Sequence, residues 1–298
     1  MRSPRIVWLV VATAVLGAGC SSASDGSSAP GVVKVVAAEN FWGDIARQIG
    51  GDHVKVTSII SDPTTDPHQY ESSARNAAQV ADARIVIVNG LGYDDFVGKL
   101  LSNTTNDTRV VITVAEVLHA TGGETNPHLW YDLPRIPAVA RAIETALVAA
   151  DPADRAQFVA NTKSFVTSLA PLSRIIETIK RAHPGAPVAY TERVPGYLLT
   201  AAGLTIASPP GFARAIEDGN EPSAHDAQAM NDLVSQHRIR ALLYNAQATS
   251  AVTQHVQDLA HDAGIPVVPV TETQPKNEPS YQSWQQHQLE ALSAALGG

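Results

Sequence analysis

From Val32 onward, short apolar runs rich in β-branched residues alternate with longer segments in which apolar residues recur every three or four positions. The first kind of run predicts buried strands and the second amphipathic helices. Their alternation predicts parallel sheets whose strands are joined by crossover helices. In the first half, strands are expected at Val32–Ala37, Val54–Ile60, Arg84–Val88 and Val110–Val114. Helices are expected near Phe41–Ile49, Ala74–Ala81 and Asp94–Leu101, with one more after Leu133-Pro134. The second half repeats the pattern, with strands at Pro187–Tyr190, Thr205–Ala207, Ile239–Tyr244 and Pro266–Val270. Its helices are expected near Pro195–Ala202, Ala224–Gln236, Ala251–Ala263 and Ser280–Leu296. The expected fold class is α/β, with two similar lobes (residues 32–150 and 184–298), each a parallel sheet with helices on both faces.

Between the halves, Phe158, Phe165, Leu169, Leu172, Ile176 and Ile179 fall on one helical face, so residues 151–183 read as a single long backbone helix joining the lobes. Asp151 suits its cap and Pro152 its first turn. At 1.5 Å per residue such a helix spans roughly 45 Å. Pro171 lies inside it and removes a backbone hydrogen bond, so two helices meeting at a kink are the alternative. Either form restricts hinge closure more than a pair of flexible strands would.

The amino terminus changes the picture of where the chain works. Arg2 and Arg5 precede the apolar run Ile6–Leu16, which is too short for a permanent membrane span and reads as a signal peptide over residues 1–20. The run ends in Leu16-Gly17-Ala18-Gly19-Cys20, similar to the site at which bacterial lipoproteins are cut and acylated, although Gly17 stands where that motif prefers a branched apolar residue. Cys20 is the expected lipidation site, with simple secretion as the alternative. As it is the only cysteine, no disulfide forms within the chain. Residues 21–31, mostly Ser, Ala, Gly and Pro, have the composition of a flexible tether. The formal net charge of −8 becomes about −10 once Arg2 and Arg5 leave. With no basic run to offset it, this excludes nucleic acid as a partner. A cationic ligand is compatible, and so is ordinary solubility chemistry.

Two of the ten histidines share a local setting: Asp66-Pro67-His68 and Asn126-Pro127-His128 each follow an expected strand. A proline stiffens each loop, so both imidazoles are presented beyond the carboxyl ends of strands, where open α/β sheets bind ligands. One such histidine alone reads more readily as a surface or hydrogen-bonded residue, whereas the repeated context points to a shared role. Asp66 and Asp132 nearby suit either helix capping, the favoured reading, or orientation of an imidazole. In the second half, Glu192 and Glu272 stand just past the strands ending at Tyr190 and Val270. Such acids are often caps or solvated, but these two point at the crevice between the lobes, and a transition-metal site needs about four donors. The other eight histidines, at positions 53, 119, 183, 225, 237, 255, 261 and 287, lack repeated context and read as surface residues.

These motifs resemble the metal-binding solute receptors of manganese and zinc ABC importers, over nearly the whole chain after the tether. The family's Asp-Pro-His-x-Tyr-Glu element is similar to Asp66–Glu71, and its Asn-Pro-His-x-Trp element to Asn126–Trp130. Its third ligand, followed five residues later by tyrosine, falls on Glu192 with Tyr197, and the next segment reads Ala202-Gly203-Leu204. Its Glu-Pro-Ser element resembles Glu221-Pro222-Ser223, and its last acidic ligand falls on Glu272. The resemblance implies a metal site of His68, His128, Glu192 and Glu272. It also implies a monomer that passes its ion to the membrane permease of an ABC importer, held to the extracytoplasmic face by lipid on Cys20. Zinc members often have histidine as third ligand and a His-rich loop before the second motif, both missing here, and manganese members more often have Asp where Glu272 stands. Carboxylate donors favour manganese and intrinsic affinity favours zinc, so both metals stay open.

Such a cage binds only when its imidazoles are neutral, so affinity is expected to fall with pH through the histidine range. Its division between lobes would let a permease release the ion by moving one lobe. An exported metal-dependent hydrolase is a weaker reading, because no His-Glu-x-x-His or Gly-x-Ser-x-Gly motif is present. A receptor for an organic ligand or metal chelate is a second alternative, to which Tyr70, Trp130, Tyr197 and Arg193 would contribute; otherwise the aromatic residues wall the cage from water.

Overall fold

The computed structural model describes residues 31–62, 70–123 and 125–297. Cys20, the signal peptide and nearly all of the tether, together with Asp66 and His68, lie outside the described residues. In the first lobe the chain forms β1 (Val33–Glu39), α1 (Asn40–Gly50), β2 (Val54–Ile60), α2 (Ala74–Asp82) and β3 (Ile85–Val88). It continues through α3 (Asp95–Ser102), β4 (Val110–Thr113), α4 (Val114–Val117) and α5 (Ile136–Ala150). Helices α6 (Arg155–Ser168) and α7 (Ala170–Ala182) lead to the second lobe. There β5 (Pro187–Tyr190), α8 (Gly196–Ala201), β6 (Thr205–Ile206), α9 (Pro210–Glu217) and α10 (Ala224–Ser235) precede β7 (Leu242–Asn245), α11 (Ala251–Asp262), β8 (Val267–Val270) and α12 (Tyr281–Leu296).

Both sheets are parallel and have the same order, β2-β1-β3-β4 and β6-β5-β7-β8. The order reverses direction between β1 and β3 and again between β5 and β7, and beyond the carboxyl ends of strands at such a reversal a crevice opens. Alternation along the strands explains why they read as unbroken apolar runs. Val33, Val35 and Ala37 of β1 and Ile85 and Ile87 of β3 face a central cluster, while Val36, Ala38, Val86 and Val88 face an outer one. Likewise Val188, Leu243, Val268 and Val270 join the central cluster, and Ala189 and Leu242 a third cluster on the far side of the second sheet. Strands buried on both faces have no polar stripe to show.

The central cluster is one apolar body shared by both lobes. Trp42 of α1, Trp130, Phe158 and Phe165 of α6, and Tyr281 and Trp284 of α12 all belong to it. Phe41 stacks on Trp130 with ring centroids 4.3 Å apart. Polar bonds stitch α1 to the second lobe along the same seam. Asn40 exchanges two hydrogen bonds with the Gln274 backbone, at 2.8 and 3.0 Å, and the Asp44 carboxylate accepts from the Tyr281 amide at 2.8 Å.

Four sequence expectations change in detail. The connector is two helices, meeting at Leu169 (φ −79°, ψ −11°). Pro171 thereby falls in the first turn of α7, where a missing N–H leaves no helical acceptor unsatisfied. Asp151 does cap the approach to α6, its carboxylate accepting from the Ala153 amide at 3.2 Å, but through a 3-10 turn at Pro152–Asp154. Val114 starts α4 rather than ending a strand, and α9 occupies a stretch with no expected element. Among the described residues, no helix is long and apolar enough to cross a membrane.

Candidate metal centre

Three adjacent strands of the second lobe present polar side chains at their carboxyl ends. Glu192 follows β5, Asn245 ends β7, and Glu272 follows β8, so the asparagine stands on the middle strand of the three. Its Nδ2 donates to Glu192 Oε2 at 2.5 Å and to Glu272 Oε1 at 2.8 Å. The loops are fixed from behind. Thr191 Oγ1 accepts from the Asn245 amide at 3.1 Å, and Gln247 Oε1 accepts from the amides of Glu272 and Thr273 at 2.6 and 3.0 Å.

The first lobe contributes His128 and Tyr93. Pro127 passes its carbonyl to Asn89 Nδ2 at 2.8 Å, and the Asn126 side-chain oxygen accepts from the His128 amide at 3.1 Å, which fixes the turn on which the imidazole sits. Tyr93 follows three consecutive residues in the left-handed region, Gly90, Leu91 and Gly92, with φ of 83°, 59° and 82°. That turn is held by the Asp94 carboxylate, which accepts from the amides of Asn89 at 2.5 Å and Gly90 at 2.9 Å. It delivers the Tyr93 hydroxyl across the crevice, where it donates to Glu272 Oε2 at 2.9 Å.

The result is a closed polar chamber between the lobes. His128 Nε2 lies 3.7 Å from Glu192 Oε1 and 3.6 Å from Glu272 Oε2, and all three side chains are 0 % exposed. Two ligand atoms each about 2.1 Å from a tetrahedral ion stand about 3.4 Å apart, so the spacing suits a cation between these donors. Two wholly buried carboxylates are costly without positive charge. Burial first, then Glu272 and Glu39 nearby, push the Tyr93 phenol well above its ordinary range, so it stays a proton donor to Glu272. Burial, reinforced by Asp94, also pushes the Glu39 carboxyl well up. The ring of Trp130 closes the chamber, 5.2 Å from that of His128 and 4.8 Å from that of Tyr93.

A second group, His53, Asp151 and Asp154, also brings possible ligand atoms within 4.8 Å of one another. His53 Nδ1 pairs with Asp154 at 2.6 Å and Asp151 caps the following turn. These half-exposed side chains have structural work that accounts for them.

The family model described as zinc-uptake complex component A, periplasmic (ZnuA), matches residues 35–295. This chain belongs to the ZnuA family. Among its relatives is the manganese-binding lipoprotein MntA of Halalkalibacterium halodurans, 29% identical over 181 residues, which are 59% of this chain and 59% of that protein. The MntA of Bacillus subtilis is 25% identical over 282 residues, covering 89% of each chain. The match therefore spans less than two thirds of the first of these relatives and most of the second. Among solved structures, the periplasmic zinc binding protein TroA from Treponema pallidum superposes with a TM-score of 0.76 at 20% identity, over 90% of this chain and 100% of that one. It shares the architecture of two parallel-sheet α/β lobes. The ZnuA family is one of extracytoplasmic substrate-binding components of uptake systems, not of enzymes.

Within this ZnuA-family chamber, the structure brings together three of the four expected donors, His128, Glu192 and Glu272, and the fourth, His68, is outside the described residues. Asp132 neither caps with its side chain nor reaches His128; its carboxylate bonds Arg135 at 3.1 Å. The residue facing the His128 ring is Asn126, whose Oδ1 lies 2.7 Å from Nδ1. Arg193 is bound to Glu217 through two nitrogens, at 2.7 and 2.5 Å, so its charge is neutralised in place. Tyr197 bonds the Asn126 carbonyl at 2.8 Å, and Tyr70 bonds Asn76 at 3.0 Å and packs on Phe96. Tyr93, Asn126 and Asn245 are partners of these donors that the sequence reading does not assign. Asn245 had a signal, a polar residue closing the apolar run Leu242-Leu243-Tyr244. Of the remaining histidines, six are exposed, and His53 and His183 are half-buried.

Proposed function

We propose that this chain is an extracytoplasmic receptor that captures a divalent transition metal, zinc or manganese, between its lobes and delivers it to the permease of an ABC importer. The observation that carries the reading is the buried group of His128, Glu192 and Glu272, donated by both lobes and closed to solvent. His68, of the Asp66-Pro67-His68 motif, is the fourth donor of the proposal. Imidazole and carboxylate together suit zinc, and carboxylates also suit manganese. The names of the relatives, manganese-binding and zinc-binding, support both. The proposal includes cleavage of the signal peptide just before Cys20, acylation of Cys20 and a tether over 21–31 that leaves a monomeric receptor on the extracytoplasmic face of the membrane. It also takes residues 32–150 and 184–298 as the lobes and 151–183 as their link.

Calorimetric titration of the metal-stripped protein with zinc and with manganese tests this, alongside His68→Ala, His128→Ala and Glu272→Ala. One ion per chain, with affinity lost in all three variants, is the expected result. Failure of both metals to bind would overturn the reading and shift weight to a receptor for an organic ligand or metal chelate.

A further inference from the structure

We propose that Asn126 is a positioning residue that ties the aim of the His128 imidazole to the docking of the two lobes. The inference rests on the metal-receptor reading above and adds how grip and release are linked.

Each polar atom of Asn126 has a separate task. Oδ1 accepts from the His128 amide at 3.1 Å and faces His128 Nδ1 at 2.7 Å. Nδ2 crosses the crevice and donates to the Arg193 carbonyl at 2.8 Å, one residue beyond Glu192. The main-chain carbonyl of Asn126 accepts from the Tyr197 hydroxyl, also in the second lobe, at 2.8 Å. One residue therefore connects the loop of a first-lobe donor to the loop of a second-lobe donor.

The orientation of the amide follows from its backbone partners. A main-chain N–H can only donate and a main-chain carbonyl can only accept, so turning the amide over would place donor against donor at His128 and acceptor against acceptor at Arg193. With Oδ1 facing the ring, Nδ1 carries the proton. Nε2, on the side of Glu192 and Glu272, is then the nitrogen left to hold an ion. Tautomer and aim are thus set by a bond whose other end is anchored in the opposite lobe.

Gly196 makes the arrangement possible. A Cβ there would stand 2.8 Å from Asn126 Nδ2, so the first residue of α8 has no room for a side chain. Opening of the lobes at this side carries Arg193 and Tyr197 away from Asn126. The freed amide can turn, and the imidazole loses its fixed acceptor in the same movement that withdraws Glu192. The opposite seam, where Asn40 and Asp44 bond the second lobe, needs no such change.

The test combines two readouts on the wild-type chain and on Asn126→Ala, Asn126→Asp, Gly196→Ala and Tyr197→Phe. The first is the zinc dissociation rate, followed by transfer to a chelator. The second is the ¹⁵N spectrum of labelled histidine in the metal-free protein, which reports the His128 tautomer. Asn126→Ala is expected to mix the tautomers and to speed dissociation about 10- to 100-fold. Gly196→Ala is expected to act in the same direction with Asn126 present, and Tyr197→Phe to speed release while leaving the tautomer intact. Asn126→Asp, which keeps an acceptor for the ring and loses the donor to Arg193, is expected to resemble Tyr197→Phe. An unchanged tautomer and release rate in both Asn126→Ala and Gly196→Ala would overturn the inference. Should Asn126→Ala fail to fold, Gly196→Ala and Tyr197→Phe decide it. If the wild-type chain binds no zinc, the metal reading fails by itself, and the tautomer comparison still decides whether Asn126 aims the ring.

Discussion

The carboxylates of Glu192 and Glu272 share one donor, the Asn245 side-chain nitrogen, at 2.5 and 2.8 Å. In the metal-free protein this amide is a chief compensation for two buried acids that face each other. Asn245→Ala is therefore expected to destabilise the metal-free form by about 1–3 kcal/mol, the cost of leaving buried acceptors without a donor. The loaded form should lose less, because the cation takes over the same task. Urea unfolding with chelator and with zinc checks this; equal losses in the two forms would reduce Asn245 to a packing residue.

Zinc at about 100 times its dissociation constant is expected to raise unfolding free energy by about 2.7 kcal/mol. Glu272→Gln should abolish most of that increment. An amide keeps only one of the two oxygens that accept from Tyr93 and Asn245, but one of two facing buried charges is gone, so the metal-free variant should stay within about 1 kcal/mol of wild type at neutral pH. A variant that loses stability in both forms would contradict this.

Asp94 gives the fold a pH dependence of known sign. Burial pushes its carboxyl from 3.8 to about 6, against the Gly90 and Asn89 amides that hold it down. A carboxyl raised in the folded state favours folding most below its unfolded pKa, and that contribution disappears as pH rises through about 6. A gap of about two pH units corresponds to about 3 kcal/mol. Relative to wild type, Asp94→Asn should gain stability by up to that amount between pH 4 and pH 7.5. Parallel pH profiles for the two proteins would show that Asp94 contributes none of it.

Gly50 closes α1 in ordinary helical geometry (φ −77°), yet a Cβ there would meet Val54 Cγ1 and Cγ2 at 2.2 and 2.3 Å. Gly50→Ala should gain up to about 1 kcal/mol in helix propensity and lose about 1–3 kcal/mol to overpacking, for a net loss. Val54→Ala in the same chain should recover part of it, which denaturant unfolding of the single and double variants would measure.

Regular elements were legible where one local pattern decided them. The β-branched runs of β1 and β3 announced doubly buried strands, and the repeat of Asx-Pro-His marked the His128 loop. Helix α9 was hidden because Pro209-Pro210-Gly211 reads as a turn, although a proline at the start of a helix costs nothing there. The break at Leu169 was legible only as an alternative, since apolar spacing runs unbroken from Phe158 to Ile179 and Pro171 alone speaks against continuity. The partners of the donors were hidden for another reason. Asn126 matters because of a carbonyl 67 positions away, and Tyr93 because of a carboxylate 179 positions away. Such pairings are made by the topology, and spacing along the chain carries no trace of them.

The apolar body shared by the lobes also governs how the molecule must be made. Tyr281, Trp284 and Leu289 of the last helix pack in the same cluster as Phe41 and Trp42 of the first. During synthesis and export the first lobe cannot finish its core until residues 281–296 arrive, so most of the chain waits with apolar surface uncovered. Premature truncation near the carboxyl terminus would consequently undo the amino-terminal half as well. The first helix folds for good only when the last one has been delivered.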